Sequence, residues 1–363
     1  MHLLHLYRPQ VPDLRAQAIQ VMHTCHALAR RGHRVKLFAQ PLAGFAGGVA
    51  EALAPYGLAP HPNLELTLLP WQHRGLAGLD FRARALAWLL RAENGAVVYA
   101  RTKRHAAQIA ALKGPLAFTL VFESHEVASA QARERGESAE ALERLERRVL
   151  AGADALVTNC EGTLEVLEEV YGPGLPARRQ VIHNGTDPAR ARPPVDHPGT
   201  VAGYVGSLRA YKNIHVLLEA AALLPEGFRL RLVGGVAGQP EFERARGLAG
   251  PRAGVSPAVP YALVPELLAG MDVLVLSLAD DLYGRRLASP LKLWDYLATG
   301  LPVVAPDLPS VRAICGDAFE PCTPGDAPSV ARAIERAAAR GPGPTRCRTW
   351  DDRAAEIEAF LAG

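Results

Sequence analysis

The 363-residue sequence lacks the marks of several function classes. No Gly-x-x-x-x-Gly-Lys-Ser/Thr run occurs, which excludes phosphoryl transfer of the P-loop type. Residues 232–238, Leu-Val-Gly-Gly-Val-Ala-Gly, follow an apolar run without the Gly-x-Gly-x-x-Gly order, and no acidic residue is spaced to hold a ribose in the dinucleotide manner. The cysteines, Cys25, Cys160, Cys315, Cys322 and Cys347, show neither Cys-x-x-Cys spacing nor a neighbouring histidine ligand pattern. A structural zinc site is therefore not expected, and buried, reduced thiols are. Ala279, Asp280 and Asp281 are not flanked to chelate a metal. No apolar run reaches the roughly 18 residues that a membrane-spanning helix needs. The segment 1–7 has no basic leader or extended apolar core, so it reads as a first strand and a cytoplasmic protein is expected. Charge of one sign is also scarce: a net +3 does not argue for nucleic acid.

What is present describes a folded α/β chain. Apolar residues make up 49 % and charged residues 21 %, with no low-complexity tract. The length exceeds that at which one core stops growing, so two domains are expected. Strand patterns at residues 2–6, 34–39, 64–69, 96–100, 118–122 and 155–159 alternate with helical ones at 16–31, 81–91, 139–151 and 162–170. That alternation implies a parallel sheet covered on both faces, with binding at the carboxyl ends of its strands. Residues 187–199, with Pro188, Pro193, Pro194 and Pro198, break both periodicities and read as a linker. A second alternation follows: strands at 201–205, 229–233, 273–276 and 303–305, helices at 214–224, 264–269 and 292–299. A terminal helix at 350–361 comes after a Gly-Pro-Gly-Pro loop.

Residues 288–307, Ala-Ser-Pro-Leu-Lys-Leu-Trp-Asp-Tyr-Leu-Ala-Thr-Gly-Leu-Pro-Val-Val-Ala-Pro-Asp, are the most informative stretch. Ser289 and Pro290 suit a helix start, Ser as a cap and Pro in the first turn. Leu291, Trp294 and Leu297 recur at helical spacing, Gly300 stops the helix and Pro302 prevents its continuation. A helix start facing a cleft offers N–H groups and a positive dipole end to a diphosphate. Asp295, one turn on, can accept hydrogen bonds from sugar hydroxyls. Phosphate then polyol is the order of groups in a nucleotide sugar; the alternative is an ordinary crossover helix.

Five segments in order carry a family resemblance. Residues 16–35 end in Gly-His-Arg-Val, 121–126 read Val-Phe-Glu-Ser-His-Glu, 181–187 read Val-Ile-His-Asn-Gly-Thr-Asp, 203–213 run from Gly-Tyr-Val-Gly to Tyr-Lys-Asn, and the fifth is 289–309. Together they resemble family-4 glycosyltransferases of glycosyl transferases group 1, retaining enzymes of the GT-B fold. The resemblance implies two Rossmann-like, doubly wound domains facing across a cleft: an acceptor-binding domain at 1–187, a nucleotide-sugar domain at 188–345 and a helix at 346–363 crossing back to the first. It implies transfer of a hexose from a nucleotide-diphosphate sugar, UDP- or GDP-linked, to a small-molecule, lipid or glycan acceptor, without cofactor or metal. A sugar-nucleotide epimerase of the same fold and a non-catalytic nucleotide-sugar binder stay open. In the family a Glu-x7-Glu motif holds the donor; here Asp295 takes its second position and Leu287, which cannot hydrogen-bond, its first.

On the donor side the resemblance points to Lys212, whose ammonium would stabilise charge on the leaving diphosphate. With it stand Gly206, Ser207, Gly234, Ser289, Pro290, Leu291 and Asp295. Ser207 occupies a position where many relatives carry Arg, and Arg209 is the candidate substitute. On the other side His125, between Glu123 and Glu126, can hydrogen-bond a sugar hydroxyl or phosphate oxygen, and the flanking carboxylates would favour its protonated form. Arg101 ends a strand in a Tyr-x-Arg pattern, with a plain surface arginine as the alternative; Glu126, and with less to support them Gln17 and Gln20, are acceptor-side candidates. Asn184 and Gly185 read as a tight turn. Residues 71–113 hold eight Arg or Lys against two acids, with Trp71, Phe81 and Trp88 interleaved. Such a segment can lie on an anionic inner membrane face, or it can pack its aromatic face inward.

Overall fold

The computed structural model describes residues 1–69, 74–92, 95–113, 115–188 and 195–363. Trp71, Glu93 and part of the expected linker, Pro193 and Pro194 included, lie outside the described residues. The chain divides into two units, Met1–His183 with Trp350–Gly363, and Asn184–Thr349. Sequence patterning put the first break at 187/188, past a segment that belongs to the second unit.

The first unit is built on a parallel sheet with strands β1 (His2–Leu6), β2 (Gln10–Val11), β3 (Arg34–Pro41), β4 (Leu64–Leu68), β5 (Ala96–Ala100), β6 (Phe118–Ser124), β7 (Ala155–Thr158) and β8 (Arg178–Val181). Their order is β2-β3-β1-β5-β6-β7-β8, with β4 on β3. The central β5 is buried at every residue, as a strand covered on both faces must be. The chain reverses its direction of growth between β1 and β5, and their carboxyl ends frame a switch point where ligands of such sheets bind. Helix Ala16–Arg30 follows β1, and the terminal helix Trp350–Ala362 packs against it.

The second unit has β9 (Thr200–Val205), β10 (Phe228–Val233), β11 (Ala253–Ser256), β12 (Val273–Val275), β13 (Val303–Pro306) and β14 (Glu320–Cys322), ordered β11-β10-β9-β12-β13-β14 and paired in parallel throughout. The switch point here lies between β9 and β12. Tyr204, Leu217, Leu232, Val275 and Ile334 belong to its core.

Patterning missed helices Lys103–Ala110, Ala128–Glu134, Pro240–Leu248, Pro309–Cys315 and Ala327–Arg340, and strands β8, β11 and β14. The helix expected from Phe81 begins at Arg74. Phe81, Ala85 and Leu89 point inward from it, while Leu79 and Leu90 are exposed. Three of the eight basic residues expected around it are held in ion pairs: Arg84 pairs with Asp80, Lys113 with Asp154, and Lys103 with Glu126 and Glu146. Four cysteines are buried as free thiols, but Cys347 is exposed, on the loop before the terminal helix. Among the described residues no helix is long and apolar enough to cross a membrane.

Candidate functional site

In the first unit a polar cluster gathers at the switch point. Glu123, next to last in β6, is fully buried, and its Oε1 accepts three hydrogen bonds: from Gln20 Nε2 at 3.0 Å, His125 Nε2 at 2.6 Å and Arg353 Nη2 at 2.6 Å. Gln20, from the helix after β1, uses its carbonyl oxygen to accept from Arg101 Nη1 at 2.5 Å. Arg353 comes from the terminal helix; it also donates to the carbonyls of Ile182 (2.6 Å) and His183 (2.9 Å) and to Thr24 Oγ1 (3.1 Å). Burial alone would raise the Glu123 pKa, but Arg353, His125 and Arg101 outweigh it and hold the carboxyl well below its usual range.

That balance corrects the expected charge on His125. Burial first, and then the Arg101 guanidinium, push its pKa down to about 4 against the pull of Glu123. The ring is neutral at pH 7, Nε2 donates to the ionised Glu123, and Nδ1 is left as an acceptor. His5 and Tyr99, fully buried with ring centroids 5.5 Å apart, back the cluster. Arg101 is no surface arginine. Glu126, by contrast, is exposed and pairs with Lys103, and Gln17 is half-buried on the first turn of its helix.

In the second unit the chain leaves β9 at Gly206 and runs through Ser207 and Arg209, both exposed, to Lys212, which is 6 % exposed. Burial draws the Lys212 pKa down to about 8 against a weaker upward pull from Asp281. Its ammonium lies 4.9 Å from the Tyr211 ring and 5.5 Å from the Tyr283 ring, within cation–π range of both. Gly234, after β10, meets Gly206 backbone to backbone: a Cβ there would lie 1.7 Å from the Gly206 carbonyl oxygen. Close chain approach is reason enough for that glycine.

Helix Leu291–Thr299 starts one residue before the expected position 292. Pro290 is the N-cap, and no side chain caps the first turn. Ser289 is not a cap; its Oγ and carbonyl oxygen both accept from Asn184 Nδ2 at 3.3 Å. Asp295 Oδ1 accepts from Thr186 Oγ1 and from Tyr261 OH, each at 2.6 Å. The Asn-Gly-Thr segment read as a plain turn therefore buttresses both ends of the motif. Leu287 is fully buried, so the first Glu-x7-Glu position faces the core.

Sequence reasoning gave no part to Lys292 or Arg353. The Lys292 Nζ is buried without a hydrogen-bond partner, 3.6 Å from the centroid of the Tyr204 ring. Burial, with Lys212 nearby, holds its pKa well below the ordinary lysine value, against Asp295. A lysine in the first turn of the quoted helix motif was the available signal. Arg353 sits among ordinary helix residues and carries no local signal.

The comparisons agree with this architecture. A D-inositol 3-phosphate glycosyltransferase of Xylanimonas cellulosilytica is 26 % identical over 355 residues, covering 87 % of this chain and 81 % of the relative. That of Mycolicibacterium vanbaalenii is 29 % identical over 286 residues, 69 % of this chain and 59 % of the relative. Sucrose-phosphate synthase of Thermosynechococcus elongatus superposes with a TM-score of 0.73 at 18 % identity, covering 99 % of this chain and 96 % of the other. Anabaena HepE in complex with UDP and glucose superposes at 0.72 with 16 % identity and 99 % of both chains covered. Both structural likenesses show the GT-B fold. Residues 17–190 match Glycosyltransferase Family 4 and residues 199–340 match Glycosyl transferases group 1, so the chain belongs to this glycosyltransferase family.

Proposed function

We propose that this glycosyltransferase moves a hexose from a nucleotide-diphosphate sugar to an acceptor hydroxyl with retention of anomeric configuration and without a metal. The observation that carries the reading is in the second unit. The nearly buried Lys212 ammonium lies on the segment that leaves β9 at Gly206, and Lys292, from the uncapped first turn of helix Leu291–Thr299, reaches that same Gly206. A cation beside free helix N–H groups is an arrangement suited to a diphosphate. As the bond from anomeric carbon to phosphate oxygen breaks, its electron pair goes to the diphosphate, and both elements stabilise that charge. The acceptor oxygen bonds the carbon on the same face and passes its proton to the departing phosphate oxygen. The first unit binds the acceptor, with Arg101 held in its polar cluster. Neutral His125 offers Nδ1 to a sugar hydroxyl, and Asp295 serves the ribose.

HepE has been solved with UDP and with UDP-glucose, which supports a UDP-sugar as the first donor to try. A thermal-shift screen of UDP- and GDP-sugars tests binding, since a ligand at about 100 times its Kd stabilises by about 2.7 kcal/mol. Slow donor hydrolysis that survives EDTA and disappears in Lys212→Ala is expected, and NMR of the transfer product reads its anomeric configuration. Binding without hydrolysis or transfer from any donor points to a non-catalytic binder, and donor interconversion without acceptor to an epimerase. A peripheral membrane contact would engage exposed Leu79 and Leu90; liposome co-sedimentation indifferent to anionic lipid counts against it.

A further inference from the structure

We propose that Lys292 is a second diphosphate-binding cation, acting from the helix start beside the end of β9. The inference rests on the reading that the second unit binds a nucleoside diphosphate.

The local geometry is that of a binding group awaiting its counter-charge. Nζ is buried and makes no hydrogen bond. A lysine whose only role was packing would be better replaced by methionine, because a buried amine without an acceptor carries a desolvation cost. Nζ stands over the face of Tyr204 and against the turn that follows β9: a Cβ on Gly206 would lie 2.2 Å from it. Gly206 is thus needed for the amine to reach the end of β9, where the sheet order places ligands. The charged groups acting on it are Lys212, which opposes its protonation, and Asp295, which favours it. Asp295 is already engaged by Thr186 and Tyr261. Two lysines brought together with so little compensating negative charge suit an anion carrying more than one charge. Arg209, the substitute suggested by sequence, is exposed, and it holds Lys212 only through its backbone carbonyl, which accepts from the Lys212 N–H at 2.9 Å.

A consequence separates this role from packing. Burial and Lys212 keep the Lys292 amine easily deprotonated, so a bound diphosphate draws a proton onto it. UDP and GDP binding to the full chain therefore takes up protons, and affinity falls as pH rises.

The test is calorimetric titration of UDP, GDP and the nucleoside uridine into the full-length protein and its Lys292→Met, Lys212→Met and Arg209→Ala variants, in two buffers of different ionisation enthalpy. Lys292→Met is expected to weaken the diphosphates ten- to a hundredfold, about 1.4 to 2.8 kcal/mol. Uridine affinity should stay unchanged, and proton uptake should shrink to the smaller share that Lys212, drawn down to about 8, still contributes. Arg209→Ala should bind like the parent. Unchanged diphosphate affinity in Lys292→Met beside a loss in Lys212→Met would overturn the inference and leave the donor site standing. Should Lys292→Met fail to fold, the parent protein still decides: binding without proton uptake refutes the assignment. If the parent binds neither UDP nor GDP, the donor reading itself fails.

Discussion

Arg353 is a fully buried guanidinium whose donors reach Glu123, two backbone carbonyls and Thr24. Removing one partner of such a pair leaves the other charge uncompensated, at about 3–5 kcal/mol. Arg353→Met should destabilise the first unit by about that much in urea unfolding, and a cost under about 1 kcal/mol would deny the pair its role. The neighbouring histidines set an acid limit. His5 is pushed down to about 3 and His125 to about 4, chiefly by burial. Below pH 6.5 the unfolded chain binds protons that the folded chain refuses, so each costs about 1.4 kcal/mol per pH unit until its folded pKa is reached. The Glu123 contribution is a stabilisation that acidification also removes, but it remains intact until the pH falls through the ordinary carboxylate range. The melting temperature is therefore expected to drop between pH 7 and pH 5, and His5→Leu to narrow that drop; an equal drop in both proteins contradicts this account. His125 was legible in sequence because a Phe-Glu-x-His-Glu loop is local. Its charge was not, because Arg353 lies 230 residues from Glu123.

At the scale of elements, the switch-point loops of the second unit depend on backbone contacts that side chains would block. Gly234→Ala would set a methyl 1.7 Å from the Gly206 carbonyl oxygen, so one loop must move. The expected cost is about 1–3 kcal/mol, with weaker UDP binding because Gly206 adjoins Lys292. Thermal melts and a UDP titration on the same variant check both, and an unaffected variant would mean that the two loops are not in contact. Gly300, at φ 75°, closes helix Leu291–Thr299 in the left-handed region, and there the sequence signal and the structure coincide. The elements that patterning missed share physical causes. Helix Ala327–Arg340 buries Ala327, Ala331, Ala333 and Ala337 beside Val330 and Ile334, a core face built mostly of alanine, and Pro328 in its first turn imitates a breaker. Strand β14, Glu-Pro-Cys, is an edge strand where proline is tolerated, and β11 alternates half-buried and exposed residues. Central strands such as β5 and β12 were read correctly because they are apolar at every residue.

Across the whole chain, two doubly wound units are visible in sequence as two runs of alternating elements, whereas the last segment's allegiance follows from the family resemblance and not from patterning, and its packing bears it out. Helix Trp350–Ala362 is separated from the first unit by the entire second unit in sequence, but it belongs to the first. Trp350 stacks on His23 with centroids 5.2 Å apart, Ile357 is fully buried, and Arg353 neutralises Glu123. The pairs Arg30–Asp351 and Arg31–Glu358 lie at the surface and add little. A chain ending at Thr349 therefore loses core area and, more costly, the counter-charge of a buried carboxylate. Scanning calorimetry of that truncated protein should show the transition of the first unit lowered or lost, while the second unit, residues 184–349, keeps its own. Adding Glu123→Leu to the truncation separates the two losses. The charge is then gone, and part of the lost stability should return, whereas a deficit due to packing alone would stay where it was. Recovery on adding Glu123→Leu would show that the terminal helix holds the first unit together through the ion pair with Glu123 as well as through packing.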